Sequence, residues 1–288
     1  MTVALALVPE TAAAAPPPAA RGLLLGGTGT AIGLLLVAFL LHLGALSGVA
    51  EHRDQVVLRA AFRDQLRHGT APVTLPLPAG RPMAVLQVPR LGLDLTVLQG
   101  SDAGTLRHGP GHRASTSLPG QAGTSVILGR RSAYGGPFAQ LDRLRVGDLL
   151  TATTGLGRAT FRVDDVHRGD AARQLPPGDA RLQLVTSDPA WTPTRALVVS
   201  AVLVDAQPLP APAGLPAPDP HELALHGDPR AAGACAAWAG ALLALSGLLT
   251  WGWQRLARPV LWVGGVPLAL AVLWELADSL TRLLPGTL

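Results

Sequence analysis

The chain has 288 residues, of which 48% are hydrophobic and 15% are charged, with a formal net charge of +4 and a mean hydropathy of +0.33. This composition is too apolar for an ordinary soluble protein of this length and indicates membrane segments. The basic residues are all arginine and form no cluster interleaved with aromatic side chains, so nucleic acid is not an expected partner.

The beginning of the chain predicts a short tail followed by a membrane anchor. Residues 1–21 are rich in alanine and proline and are predicted to be a disordered cytoplasmic tail. Residues 22–50 contain no charged side chain unless His42 is protonated, and the run exceeds the roughly 20 residues that span a bilayer. A cleavable signal peptide is the alternative, because Gly48-Val49-Ala50 is a small-x-small site. The length of the apolar run favours an uncleaved transmembrane helix.

The central part of the chain predicts a juxtamembrane segment and a β-domain. Residues 51–80 are read as an amphipathic helix, Glu51 to His68, followed by a proline-containing linker. Residues 81–205 contain short alternating or apolar runs between glycine, proline and aspartate. The runs are Met83–Val88, Leu95–Leu98, Ser125–Leu128, Leu149–Thr153, Ala159–Val166, Arg181–Thr186 and Leu197–Val204. They predict a mostly β fold, a closed β-barrel flanked by transmembrane α-helices.

After the barrel, the sequence predicts a linker and two further spans. Residues 206–230 are a proline- and alanine-rich linker, and residues 231–253 and 259–277 are apolar. Arg255 and Arg258 mark the loop between these spans as cytoplasmic, which makes the protein multi-pass in the cell membrane with an extracytoplasmic barrel. The arginines of residues 51–67 favour the opposite orientation of the first span, but long translocated domains follow that rule poorly.

Two stretches of the β-region carry a family pattern. The first contains Gln183-Leu184-Val185-Thr186, then Ser187, Pro189 and Arg195. The second contains three elements, Gly109-Pro110-Gly111-His112, Leu118-Pro119-Gly120-Gln121-Ala122-Gly123-Thr124 and Ile127-Leu128-Gly129-Arg130-Arg131-Ser132-Ala133-Tyr134-Gly135-Gly136-Pro137-Phe138. Together they resemble the sortases, which are the cysteine transpeptidases of Gram-positive cell surfaces. The second stretch resembles the pattern of class E within that family. The resemblance covers roughly residues 83–204.

The resemblance implies a site with two substituted positions. In sortases a cysteine attacks the threonine carbonyl of a Leu-Pro/Ala-x-Thr-Gly sorting signal, a histidine carries the proton and an arginine steadies the oxyanion. The matching positions here are Ser187, Arg130 and Arg195. By the same resemblance, further groove or ligand-binding residues are expected at His112, Arg131, Tyr134 and Thr186.

These substitutions argue against sortase chemistry. A guanidinium stays protonated and cannot act as a base, and a serine without a base is a poor nucleophile. The chain's one cysteine, Cys235, lies in the second apolar span. The favoured hypothesis is a catalytically inactive sortase-like protein that binds or scaffolds envelope components. One alternative is an active transpeptidase or hydrolase that uses Ser187, with or without His112 as base, and another is a structural membrane module.

Plain structural roles remain open for the same residues. Ser187 starts a Ser-Asp-Pro turn, Arg195 can be a surface residue, and Arg130 with Arg131 can be a solvated pair facing Asp188. If Arg130 and Arg195 converge, they could clamp a carboxylate or phosphate. The expected partners are the membrane and a cell-wall peptide, sorting signal or anionic envelope ligand. Histidine and acidic residues lack metal-ligand spacing, so the sequence predicts neither a metal site nor a cofactor.

Overall fold

A computed structural model describes residues 37, 39, 46–169, 179–204, 206–210, 214–219, 222, 227–252, 264–284 and 286–287. The chain forms two compact units, Met1–Leu40 and Leu41–Leu288. In the first unit the described residues are Val37 and Phe39, both helical. The predicted tail, 1–21, and most of the predicted first span, 22–50, lie outside the described residues, and 46–50 of that span are described.

Eight strands form a closed barrel in the second unit. They are β1 (Pro82–Val88), β2 (Leu93–Gln99), β3 (Gly111–His112), β4 (Gly123–Leu128), β5 (Leu149–Thr154), β6 (Gly157–Gly169), β7 (Ala180–Asp188) and β8 (Arg195–Leu203). Their order around the barrel is β1-β2-β3-β4-β7-β8-β6-β5, and β5 pairs with β1 to close it. The pairs β2–β3 and β4–β7 are parallel and the others are antiparallel. The prediction of a mostly β, closed barrel is confirmed.

The alternation of side chains along the strands divides the core into two apolar clusters. The larger cluster includes Leu182 and Leu184 of β7 and Val199 of β8. The next residues along the strands, such as Val185 and Val198, belong to a smaller second cluster with Leu106. Because successive strand residues face opposite sides of a sheet, the second cluster lies on the other face of β4, β7 and β8. Both faces of these strands are therefore buried.

Three long α-helices accompany the barrel within the described residues. They are α1 (Ser47–Arg67), α2 (Ala231–Gly252) and α3 (Val266–Leu283). α1 runs where a helix was expected from Glu51 to His68, and α2 covers nearly all of the predicted span 231–253. α3 overlaps the predicted span 259–277 and continues past it by one and a half turns. α2 and α3 pack against each other.

One helix in the described part of the chain is long and apolar enough to cross a bilayer. It is α2, over Ala231–Trp251, with a mean hydropathy of 1.7 and little of its surface buried by the protein. Of the three predicted membrane spans, the second, 231–253, corresponds to this candidate helix. α3 carries buried polar side chains near its end, including Asp278, Ser279 and Thr281.

The side chain of Gln55 fastens α1 to the barrel. Its amide nitrogen donates to the carbonyl oxygens of Thr96, at 3.0 Å, and His108, at 2.9 Å. Its oxygen accepts from the Thr96 N–H at 2.8 Å. One buried side chain thus satisfies three backbone groups of the barrel domain.

We expect Gln55→Ala to lower the free energy of unfolding by about 1–3 kcal/mol, because it leaves those backbone groups without their partner. Thermal unfolding of the full chain in lipid nanodiscs measures the effect as a drop of several degrees in Tm. Arg63→Ala changes an exposed residue of the same helix and is the matched control. Equal Tm values for the two variants would contradict the role given to Gln55.

Candidate functional site

Strand pairing brings three of the sequence-predicted positions to one edge of the barrel. β4 and β7 run parallel, so the residues that follow β4 lie beside the end of β7. Gly129 extends this ladder through an N–H···O bond of 3.0 Å to β7. β8 runs antiparallel to β7, and its first residue, Arg195, is registered opposite Asp188. Arg130, Ser187 and Arg195 therefore belong to the same edge.

Ser187 binds a peptide carbonyl. The residue has no exposed surface and lies on the same face of β7 as Val185. Its hydroxyl donates a hydrogen bond of 2.9 Å to the carbonyl oxygen of Thr287. The backbone N–H of Arg131 donates to the same oxygen, also at 2.9 Å. We call these two donors, Ser187 Oγ and Arg131 N, the carbonyl cradle.

The side chain of Arg131 braces the end of β7. Its Nη1 donates to the carbonyl oxygen of Ser187 at 2.9 Å and to Asp188 Oδ1 at 2.6 Å. Asp188 Oδ2 also accepts from Arg195 Nε at 2.9 Å and lies 3.3 Å from Arg168 Nε. Burial alone would raise the pKa of the Asp188 carboxyl, but the hydrogen bonds from Arg195 and Arg131 outweigh it and hold the pKa below its ordinary value. Asp188 is therefore an anion shared by three arginines.

Arg130 is a buried cation. Its side chain has no exposed surface, its Nη2 donates to the carbonyl oxygen of Ala103 at 2.9 Å, and its guanidinium carbon lies 4.7 Å from the ring centroid of Tyr134. Burial lowers its pKa to about 10, which still leaves it charged at neutral pH. Arg130 is thus neither a solvated loop residue nor a proton acceptor.

Tyr134 connects Arg130 to the helices. Its hydroxyl donates to Asp278 Oδ1 at 2.8 Å and lies 2.8 Å from Thr281 Oγ1, and both partners belong to α3. Its backbone N–H donates to Ser47 Oγ of α1 at 3.0 Å. Burial raises the pKa of the phenol, so Tyr134 stays neutral and keeps its proton to donate. Its φ of 51° is uncommon for a residue other than glycine and is held by these contacts.

The other predicted residues have structural partners. Thr186 donates from Oγ1 to the carbonyl oxygen of Gly129 at 2.8 Å, which joins β7 to the start of the Arg130 loop.

Arg195 and Arg130, the residues of the hypothesised anion clamp, bind different groups. Arg195 holds Asp188, and in the described part of the chain the two guanidinium groups share no partner.

His112 lies in the interior and makes no contact with Ser187 among the described residues. It has no exposed surface, and its Nε2 lies 2.9 Å from the carbonyl oxygen of Ser117. Its Nδ1 lies 3.1 Å from the side-chain amide of Gln99. Burial lowers the pKa of the imidazole to about 4, partly offset by the bond to Ser117. His112 is therefore a neutral structural residue at neutral pH.

Two site residues were not identified from the sequence, Thr287 and Asp278. Thr287 follows Ser187 by 100 residues, and Asp278 lies just beyond the predicted third span. Asp278 also forms an ion pair with Arg107 and accepts from Arg282 Nη2 at 2.8 Å. One sequence signal was available, because residues 284–287 read Leu-Pro-Gly-Thr, the order of the sorting signal that the resemblance implies.

A cavity of about 250 Å³ adjoins Tyr134, between α1 and the end of α3. Its lining is strongly charged and consists of Ser47, Ala50, Asp54, Arg107, His108, Tyr134, Trp274, Glu275, Asp278 and Arg282. Within the described residues, no group of three or more histidine, cysteine or acidic side chains is arranged to hold a metal ion.

Comparisons with known proteins point to one family. The sortase domain family model matches residues 86–204. Sortase D of Bacillus subtilis (strain 168) is 25% identical over 117 residues, which cover 41% of this chain and 51% of that protein, so the match spans about half of the relative. The structure of sortase E from Streptomyces avermitilis is 31% identical, with a TM-score of 0.41, over 46% of this chain and 93% of that one. A Clostridium perfringens sortase D5 transpeptidase is 18% identical, with a TM-score of 0.45, over 54% and 98%.

We expect His112 to destabilise the fold in mild acid. Its folded-state pKa of about 4 lies below the ordinary value of 6.5, so the unfolded chain binds a proton that the folded chain does not. The stability that neutral His112 contributes is fully present above pH 6.5 and is lost as the pH falls towards 4, by on the order of 3 kcal/mol. The pKa of Asp188 is lowered from its ordinary value of 3.8, so its protonation changes the stability only at a pH below that value, which is outside this window.

Tm measured from pH 7 to pH 4.5 tests this expectation. His112→Gln keeps a donor and an acceptor but cannot be protonated, so its Tm should fall less on acidification than that of the unmodified chain. His52→Gln replaces an exposed histidine of α1 and should follow the unmodified profile. A His112→Gln profile parallel to the unmodified one would refute the assignment.

Proposed function

Because the chain belongs to the sortase family, we propose that it is a membrane-anchored sortase-domain protein that binds a peptide of the cell envelope without cleaving it. Members of this family act on cell-wall sorting-signal peptides, which makes a peptide the natural class of ligand. The proposal concerns the barrel and its edge, which include the matched residues 86–204.

The observation that carries the proposal is the hydrogen bond from Ser187 Oγ to the carbonyl oxygen of Thr287. A nucleophilic hydroxyl must give its proton to a base and direct a lone pair at the carbonyl carbon. Here the proton is directed at the carbonyl oxygen instead. Arg130 at the family's histidine position is already protonated, and among the described residues no histidine or carboxylate contacts the hydroxyl.

What remains at the site is well suited to binding. Two donors directed at one oxygen are the arrangement by which enzymes hold a developing oxyanion, and in a water-excluded site they also bind an ordinary peptide carbonyl. Arg131 takes part in the cradle in two ways. Its backbone N–H donates to the Thr287 carbonyl oxygen, and its guanidinium donates to Ser187 and Asp188 at the end of β7. We therefore propose Ser187 and Arg131 as the binding residues, with Arg130 and Tyr134 as the buried support behind them.

We further propose that the barrel lies outside the cell membrane in a multi-pass protein. The apolar surface of α2 supports the second of the predicted spans, 22–50, 231–253 and 259–277. The contact of Asp278 with Tyr134 supports a topology in which α3 ends on the same side as the barrel. The cradle would then be close to the membrane surface.

A serine-based transpeptidase is the second candidate, favoured by the 2.9 Å approach of Ser187 Oγ to a peptide carbonyl group. An activity assay distinguishes the peptide-binding function from the serine-based transpeptidase. The full chain in nanodiscs is incubated with a Leu-Pro-x-Thr-Gly peptide, at up to about 1 mM, and an amine acceptor, and products are detected by mass spectrometry.

We expect no product from the unmodified chain or from Ser187→Ala, because neither has a nucleophile paired with a base. The double variant Arg130→His/Ser187→Cys restores the family's residues and should give hydrolysis or transfer. Ser187→Cys alone is the matched control and should give no product, since it supplies a thiol without a base. Turnover by the unmodified chain that Ser187→Ala abolishes would establish the serine enzyme and reject the binding function.

A further inference from the structure

The ligand of the carbonyl cradle is part of the same chain. We propose that residues 284–287, which follow α3, are the resident peptide of the site, and that an external Leu-Pro-x-Thr peptide binds only by exchange with them. This inference rests on the proposed function, because it names the ligand of the same site. Of these residues and the one that follows, Leu284, Gly286 and Thr287 are described, and Pro285 and Leu288 lie outside the described residues.

The contacts of Thr287 are those of a bound peptide. Its carbonyl oxygen accepts from Ser187 Oγ and from Arg131 N, both at 2.9 Å. Thr287 has no exposed surface and Gly286 is also buried. A backbone segment that is excluded from water in this way needs partners for its polar groups, and the cradle provides two for one carbonyl.

The end of α3 is fixed where it leads into the site. Asp278 accepts from Tyr134 at 2.8 Å, pairs with Arg107 of the barrel domain and accepts from Arg282 at 2.8 Å. Thr281 lies 2.8 Å from the same tyrosine hydroxyl. These buried contacts position the segment that follows at the cradle.

A second backbone contact holds the chain just before the segment. The N–H of Asp228 donates to the carbonyl oxygen of Arg282 at 2.8 Å. A Cβ atom on Gly227 would lie 2.2 Å from the carbonyl oxygen of Leu283, so this approach requires glycine. The segment is therefore held at its start by α3 and the residues before α2, and at its end by the cradle.

The register of the segment matches that of a family substrate. Residues 284–287 read Leu-Pro-Gly-Thr, the first four residues of the sorting signal, and Leu288 stands where the signal has glycine. The carbonyl in the cradle is that of the threonine. This is the carbonyl that the family's cysteine, at the position of Ser187, is expected to attack. A shift of one residue in either direction would place another carbonyl there. Chemistry and register thus agree on the same ligand class.

Occupation by the chain's own segment predicts weak apparent binding of external peptides. Tethering gives the segment an effective concentration on the order of millimolar or higher. An external peptide then meets a site of which only a fraction is free, and its apparent Kd rises by the inverse of that fraction. We expect removal of the segment to tighten external binding at least about tenfold.

The test measures binding of a fluorescein-labelled Leu-Pro-Gly-Thr-Gly peptide to this chain in nanodiscs by fluorescence polarisation. Two variants remove the internal ligand, a deletion of residues 284–288 and a replacement of residues 284–287 by Gly-Ser-Gly-Ser. The matched control replaces residues 215–218, another Leu-Pro segment, whose Leu215 is 40% exposed. Tm values establish that each variant is folded.

The expected result is a Kd at least about tenfold lower for both tail variants than for the unmodified chain and the control, at two protein concentrations. Equal, measurable Kd values in all four proteins would overturn the inference and leave the proposed peptide binding intact. Failure of every folded variant to bind would instead reject the proposed function and this inference with it.

Hydrogen exchange on the unmodified chain gives a second test that does not depend on a variant. The amides of Gly286 and Thr287 should be protected and should lose protection when saturating Leu-Pro-Gly-Thr-Gly peptide is added. A peptide with the same residues in scrambled order should have no effect. Rapid exchange of these amides without added peptide would overturn the inference.

Discussion

The parallel pairing of β4 with β7 is the constraint on which the site depends. Parallel neighbours end at the same edge of a sheet, so the residue pairs Arg130-Arg131 and Ser187-Asp188 meet although more than fifty residues separate them. The alternation along β7 then directs Ser187 to the same outer face as Val185, which packs in the cluster that contains Leu106. The cradle forms from one strand-end side chain and one backbone N–H because both are held by the same ladder.

The buried charge of Arg130 connects this edge to the helices. A cation with no exposed surface needs electrostatic support, which it receives from the carbonyl oxygen of Ala103 and the ring of Tyr134. The hydroxyl of Tyr134 in turn binds Asp278 of α3. Arg130 is thus linked through Tyr134 to α3, and α3 leads into the segment whose Thr287 carbonyl lies in the cradle.

The fold was more predictable than the site. Each of the seven predicted strands corresponds to an observed one, since strands of at least four residues show alternation or a continuous apolar run. β3, with two residues, is too short to show either. Motif resemblance predicts Ser187, Arg130 and Arg195 as site positions, and this assignment stays a prediction. The pairing of Arg131 with Asp188 is one of the structural roles that the sequence leaves open. The contact between Ser187 and Thr287 was not predictable from periodicity, because it joins residues 100 positions apart through tertiary packing alone.

Under the proposed function, a serine at the position of the family's cysteine changes which atom of the bound peptide this residue contacts. A thiol is a weak hydrogen-bond donor, and its thiolate is a strong nucleophile for the carbonyl carbon. A hydroxyl is a good donor and a poor nucleophile, so at the same position it binds the carbonyl oxygen. In this chain the Arg131 N–H supplies the second donor. Under the proposed function, the absence of a base and the presence of a hydroxyl are consistent with each other, because a site that binds a peptide without cleaving it must stabilise the carbonyl and must not attack it.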